Sequence, residues 1–333
     1  MKLVFAIAAV AALSSPACFA AKKTIKFGTI APANTPWSDT LEEIKKRVEA
    51  ESKGELGIKV YLGGQLGGEL EILQGIRRGR IEGGGLTSAA LASVIPELDV
   101  LELPYLFESS AQADCVLDQH LLEPFKKLFD EKGLVFVTWA ENGWRSIGTK
   151  KKPIKSPSDL KGLKVRSQES KVHLGFWKKL EANPAPIAVP EVLPSLQTGV
   201  VEGFDNTPLF TLAAEWHTAI KYYTVSQHIY QPAAVVYSKS YFSKLSEAEQ
   251  KTLMGEGNGL AVKARTAVRK LEGELIGVLK DSGIQVTELS ATEKQSFKKA
   301  VDGINDSLIK QIGGKANEIY AKVLEGKKAC GKK

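Results

Sequence analysis

Histidine is scarce in this chain. The 333 residues hold four, His120, His173, His217 and His228, and no two stand at the spacing of a His-Glu-x-x-His metal site. No Gly-x-Ser-x-Gly elbow occurs, so nucleophilic serine chemistry lacks its signature. Three cysteines are present, and neither Cys115 nor Cys330 has the His- or Gly-flanked setting of a nucleophile. The run Gly63-Gly64-Gln65-Leu66-Gly67-Gly68 lacks both the Gly-Lys-Ser/Thr ending and the Gly-x-Gly-x-x-Gly spacing of nucleotide sites, so it reads as a turn that starts a helix. With no constellation that meets the requirements of an active site, the chain reads as no enzyme, with no catalytic residue, metal or cofactor.

A concentrated basic face is also missing. Lysine and arginine number 45 against 38 acids, a formal charge of +7, but the two signs are interspersed. The densest cluster, Lys150-Lys151-Lys152, has no aromatic neighbours, and Lys327-Lys328 and Lys332-Lys333 read as a solvated tail. Nucleic-acid binding needs a basic face, so nucleic acid is not an expected partner. No repeat, low-complexity tract or flexible linker interrupts the chain.

Long apolar runs are missing except at the start, where residues 3–13 follow Met1-Lys2 and end at Ser14-Ser15-Pro16. Small residues in Ala17-Cys18-Phe19-Ala20 complete a secretory signal peptide cleaved near Ala20. The run falls short of the ~20 residues a membrane span needs. Cys18 is a poor lipidation site, because Ser15 stands where a branched aliphatic residue belongs. The expectation is an exported periplasmic chain, whose charge falls from +7 to +6 with the loss of Lys2 and no acid. In an oxidising compartment two remaining thiols tend to pair. Either Cys115 and Cys330 form a disulfide, or one thiol is buried and the other lies in a loose tail.

Strands alternate with helices throughout, which predicts α/β with a mostly parallel core. Strands are expected at 23–28, 56–62, weakly at 81–86, at 134–139, 144–148, 233–238 and 284–289. Helices are expected after an N-cap at Ser38, at 69–78, 171–180, 190–197 and 215–223, and from the capping box at Ser246 to Gly283, with a possible bend at its early glycines. A length above 300 residues suggests two domains.

The most pointed pattern ends at Arg166. Asp159-Leu160-Lys161-Gly162-Leu163-Lys164-Val165-Arg166 reads as helix end, turn and strand. Forty residues later a second helix, glycine turn and strand ends at Phe204-Asp205-Asn206. An arginine and an asparagine leaving neighbouring strands can converge on one small anion, and guanidinium matches a carboxylate bidentately. Strand ends are where α/β proteins hold ligands. Arg145, after Gly143-Trp144, is either a second cationic donor or an arginine paired with a carboxylate. Trp139 and Trp177 read as core, whereas Trp37 and Trp144 sit in polar loop contexts and, with Phe204, are candidate pocket walls.

Together these segments resemble the periplasmic substrate-binding proteins of TRAP transporters, the DctP-type family. The resemblance runs from about residue 23 to about residue 321. Its marks are Gly64-Gln65-Leu66-Gly67-Gly68-Glu69, Gly79-Arg80-Ile81-Glu82, Ile95-Pro96-Glu97-Leu98, Leu103-Pro104-Tyr105-Leu106-Phe107, the stretch ending at Arg166, the helix before Gly199, and Val201-Glu202-Gly203. No one of these decides the matter; the ordered set does.

The resemblance implies a two-lobed α/β periplasmic-binding-protein fold with a cleft between lobes and a long connecting helix. Lobe I would comprise 21–142 with 232–271, lobe II 143–231 with 272–325, flanked by the signal peptide 1–20 and a basic tail 326–333. It further implies capture of an organic carboxylate and transient delivery to integral-membrane permease subunits, by a monomer. Arg166 would pair with the carboxylate, with Arg145 and Asn206 as further donors. Val189 falls where the family often has an aromatic wall. The loop ending at Trp37, and Thr87-Ser88, would supply contacts from the first lobe. Two departures from the family pattern change the pocket. The proline usual after the arginine is replaced by Ser167-Gln168-Glu169-Ser170, and Gly-Gln-Glu-Asn-Pro becomes Gly203-Phe204-Asp205-Asn206-Thr207-Pro208. Glu169 would either accept from a ligand hydroxyl or amine, or face solvent. The alternative function is a sensor subunit, or a carrier of a more apolar ligand, on the same fold.

Overall fold

The computed structural model describes residues 23–255 and 258–331. The expected signal peptide, Cys18, Lys332 and Lys333 lie outside them. Among the described residues nine strands form one sheet: β1 Lys23–Thr29, β2 Leu56–Tyr61, β3 Gly83–Thr87, β4 Leu134–Thr149, β5 Lys164–Ser167, β6 Asn183–Pro186, β7 Gly203–Asn206, β8 Tyr222–Ser238 and β9 Gln285–Glu288. Their order is β2-β1-β3-β8-β4-β7-β5-β6, with β9 pairing on β8.

The expected mostly parallel sheet is parallel in five of its eight pairings and antiparallel at its centre. β1 is parallel to β2 and β3, and β5 is parallel to β6 and β7. The middle of the sheet is antiparallel, because β8 runs against both β3 and β4, and β4 runs against β7. Two parallel wings are thus joined by a long antiparallel ribbon.

The ribbon is longer than the local pattern suggests. The strands expected at 134–139 and 144–148 are one strand, whose pairing with β8 slips at Glu141/Gly143. Gly143 has φ +110° there, a backbone that side chains rarely adopt. β8 begins at Tyr222, so the expected helix at 215–223 shrinks to a single 3-10 turn, Trp216–Ala219. The β-branched and aromatic run Tyr222-Tyr223-Thr224-Val225 favours a pleated surface.

Local capping is a little different from expectation too. Thr35, not Ser38, caps the helix Pro36–Glu51, and Ser38 reciprocates as the third residue of a capping box. The expected helix from Ser246 to Gly283 is two helices, Glu247–Met254 and Asn258–Asp281, parted where Gly255 takes φ +61°. The expected tail is helical as far as Cys330, within Ala316–Cys330. That helix packs on the segment Val116–Leu121, and a Cys115–Cys330 disulfide with Cα atoms 5.9 Å apart closes the contact. Bonded sulfurs are not thiolates, so Cys115, His120 and Cys330, though close together, offer no thiolate set for a metal.

Candidate functional site

A cavity of about 100 Å³ lies where the ends of β1, β3 and β7 meet the middle of β4 and β8. A smaller chamber of about 10 Å³ adjoins it beyond Glu69, Gln168 and Val189, and contains Arg166. The sheet order explains the place: β1, β3, β5 and β7 all deliver their carboxyl ends there.

Arg166 sits on β5 and is 2% exposed. Its Nε donates to the Ile187 carbonyl at 2.8 Å, and its guanidinium lies 5.5 Å from the Trp216 ring centre. Its Nη1 is buried with no hydrogen-bond partner. Burial, with Arg145 adding repulsion, lowers this guanidinium to about 10. A buried donor without an acceptor is costly.

Arg145, on β4, is held in a different way. Its Nε donates to Asp205 Oδ2 at 2.6 Å, and its Nη1 to Gln231 Oε1 at 2.8 Å and Asn206 Oδ1 at 3.3 Å. Its Nη2 donates to the Asp205 carbonyl. Both charged side chains are fully buried. Burial by itself would raise the Asp205 carboxyl, but Arg145 and His228 hold it well below the usual carboxylate range. Arg145 is therefore the paired arginine of the two readings.

Asn206 ends β7. Its Oδ1 also accepts from Asn142 Nδ2 at 2.9 Å and from the Thr207 amide at 2.9 Å. Gln231 ties this group to the sheet centre, accepting from Asn142 at 2.7 Å and donating to Glu102 Oε2 at 2.7 Å. Glu102 in turn meets His173 Nε2 at 2.6 Å.

The other expected residues divide. Trp37 donates to the Glu141 carbonyl at 2.8 Å, packs on Phe210 at 5.9 Å and turns its face to the cavity. Thr87 and Val189 line the cavity, and Glu169 lines the rim of the smaller chamber. Ser88, Trp144 and Phe204 lie elsewhere. Ser88 is buried behind the wall between Glu102 and the Pro232 carbonyl, the latter at 2.8 Å. Trp144 donates to Ser110 Oγ at 2.9 Å and lines a separate open hollow with Tyr105 and Lys298. Phe204 is core: it meets Trp216 at 5.0 Å and covers Gly148, where an added Cβ would come within 2.6 Å of its ring. Phe204 shares a face of β7 with Asn206 but stands two residues back from the strand's carboxyl end, where its ring meets Trp216 and not the cavity.

Residues 27–311 match the family model for bacterial extracellular solute-binding protein, family 7, DctP. The chain belongs to that family. It is 27% identical over 307 residues to the 2,3-diketo-L-gulonate-binding periplasmic protein YiaO of Escherichia coli K12, covering 92% of both chains. Its structure is similar, with a TM-score of 0.89 and 28% identity over 93% of this chain and 99% of the other, to the sugar acid binding protein DctPAm of Advenella mimigardefordensis in complex with galactonate. A TRAP periplasmic solute-binding protein of Sulfitobacter sp. NAS-14.1 with bound β-D-galacturonate follows at a TM-score of 0.84 and 26% identity, covering 90% and 98%. This TRAP-type solute-binding protein is therefore a two-lobed α/β transport component and not an enzyme.

The residues of the solute-binding protein that sequence reasoning missed are buried polar ones. Glu69 lines both chambers and accepts from the Thr87 amide at 2.6 Å and its hydroxyl at 2.8 Å. Burial, offset by those bonds, leaves its carboxyl at about 7. Gln168, just past β5, and Asn142 and Gln231, within β4 and β8, carry no local signal, since a lone amide is ordinarily surface. Glu69 had one, being the last residue of the Gly-Gln-Leu-Gly-Gly-Glu mark.

Glu69 gives a pH prediction. The unfolded carboxyl titrates near 4.5 and the folded one at about 7. Its contribution to stability is complete below the lower value and is lost as pH rises through the upper one. Glu69→Gln, neutral throughout, should then be more stable than the parent by about 1–3 kcal/mol at about pH 8. Near pH 4.5 the gap should close. Urea titrations at the two pH values read this; an equal gap at both would mean that Glu69 ionises like a surface carboxyl.

Proposed function

We propose that this protein captures an organic carboxylate by an arginine clamp and hands it to the membrane permease subunits of its transporter. The observation that carries the reading is the buried, unpartnered Nη1 of Arg166 beside a cavity. Arg145 is neutralised by Asp205, so Arg166 is the cation left to receive an anion. Arg145 and Asn206 then act as a rigid floor, with Trp37, Thr87, Val189 and Glu169 as walls and rim. The relatives that hold galactonate and galacturonate support an acid as the ligand class.

Capture would couple to closure. On this reading the two wings would belong to lobes 21–142 with 232–271 and 143–231 with 272–325, with the chain crossing between them in the middle of β4 and β8. The pairing slip at Glu141/Gly143 marks a point where the ribbon can bend. A carboxylate bridging Arg166 and the first wing favours the closed arrangement by its differential affinity for it.

The test is native mass spectrometry of the purified protein, followed by denaturation and identification of what is released. A stoichiometric acid supports the reading. A neutral molecule in its place sinks it and favours a carrier of an apolar ligand.

A further inference from the structure

Resting on the carboxylate reading above, we infer that the ligand is a monocarboxylate with an apolar tail, not a dicarboxylate or a polyhydroxy acid. Among the described residues that line the chambers, Arg166 is the uncommitted cation, and Arg145 has Asp205 at 2.6 Å. The remaining charged groups that face the chambers are acids: Glu69, Glu141 and, at the rim, Glu169. Glu141 is held by Arg269 Nε at 2.8 Å and by the Tyr230 hydroxyl. A second carboxylate on the ligand would enter the larger chamber without a counter-charge, which a buried site penalises heavily.

Hydroxyls fare little better. Thr29 accepts from the Ala31 amide at 3.2 Å, Thr40 donates to the Pro36 carbonyl at 2.7 Å, and Thr87 is bonded to Glu69. Asn142 and Gln231 bond to each other, at 2.7 Å, and to Asn206, Arg145 and Glu102. These polar groups serve the protein's own network, so a chain of ligand hydroxyls would have to break bonds to make bonds.

The rest of the larger chamber is hydrocarbon. Ile30, Leu41, Ile44, Leu86 and Phe210 line it, with the Trp37 ring whose N–H is already spent on Glu141. At about 10–15 Å³ per water-sized sphere, its volume admits roughly seven to ten non-hydrogen atoms. That suits a branched aliphatic or small aromatic acid with its carboxylate reaching toward Arg166. The departures from the family pattern near Arg166 and Asn206 lie beside this same chamber.

The experiment is calorimetric titration of the full chain, unfolded and refolded to strip any carried ligand. The probes are acetate, isovalerate, 4-methylpentanoate, phenylacetate, succinate and galactonate, with 4-methylpentan-1-ol as the uncharged control. Affinity should rise about fourfold per added buried methylene. 4-Methylpentanoate, with four more carbons, should therefore bind roughly 250-fold tighter than acetate, and about 100-fold tighter than succinate or galactonate. Galactonate or succinate binding more tightly than every apolar acid, in an Arg166-dependent way, overturns this inference and leaves the carboxylate clamp standing. The alcohol binding as well as the acid overturns the clamp, and this inference with it. So does a folded protein that binds none of the seven.

Discussion

Arg166→Met is expected to lower affinity for the carboxylate ligand by about two to three orders of magnitude while leaving the fold intact. Truncating one partner of a buried charge pair costs about 2–5 kcal/mol, much of it the penalty of leaving the other charge unpaired. Here the ligand carboxylate would be stranded among Glu69, Gln168 and Val189. The same substitution should not destabilise the ligand-free protein, and it can stabilise it. Arg166 Nη1 has no partner in the fold, its guanidinium is pulled down to about 10 by burial, and methionine fills a similar volume without a charge. The paired readout is a calorimetric titration with the ligand and a melting curve without it. Unchanged affinity would move the anion site away from β5. A lost fold would make Arg166 a structural residue.

Asp205→Asn should do the reverse, costing about 3–5 kcal/mol of stability in the ligand-free protein. Asp205 is the counter-ion of a fully buried arginine, with Nε and Oδ2 2.6 Å apart, and it also receives His228 Nε2 at 3.3 Å. Asparagine keeps the shape but leaves Arg145 as an uncompensated charge. The folded carboxyl lies well below its usual range. Its contribution is therefore present above the ordinary carboxylate pKa and is lost as pH falls through the depressed value. The difference between parent and variant should be full at neutral pH and shrink in acid. Replacing Arg145 and Asp205 together by methionine and leucine should cost less than Asp205→Asn alone, because no charge is then left unpaired. Urea denaturation of the three variants checks this; a single-variant loss below about 1 kcal/mol would mean that Arg145 finds another partner.

The two predictions separate arginines that look alike in the sequence. Both fit the family's pattern of donors. What distinguishes them is Asp205, which lies 60 positions from Arg145 along the chain and reaches it only because β4 and β7 pair with Ile147 opposite Asp205. Phe204 shows the same point from the other side. It stands two residues from Asn206 on the same strand, yet that step back from the strand's end places it in the core against Trp216.

The elements that local rules govern were legible in the sequence. The capping boxes at Ser246 and Ser290 start helices as side-chain hydroxyls do, Gly199 ends one in a left-handed conformation, and the apolar spacing of Leu41, Ile44 and Val48 gives the buried face of the first helix. The order of strands and helices, the turns before β5 and β7, and the membership of the family all follow from such near-neighbour signals. The antiparallel ribbon, the packing of the last helix on Val116–Leu121, the Cys115–Cys330 bond and the company of Arg166 do not. Each joins residues far apart in the chain, and their pairing energies depend on burial that no local pattern carries. The sequence by itself determined that an arginine and an asparagine leave neighbouring strands at one end of an α/β sheet. Only the tertiary structure decided which arginine is already neutralised and which has a buried N–H left to give.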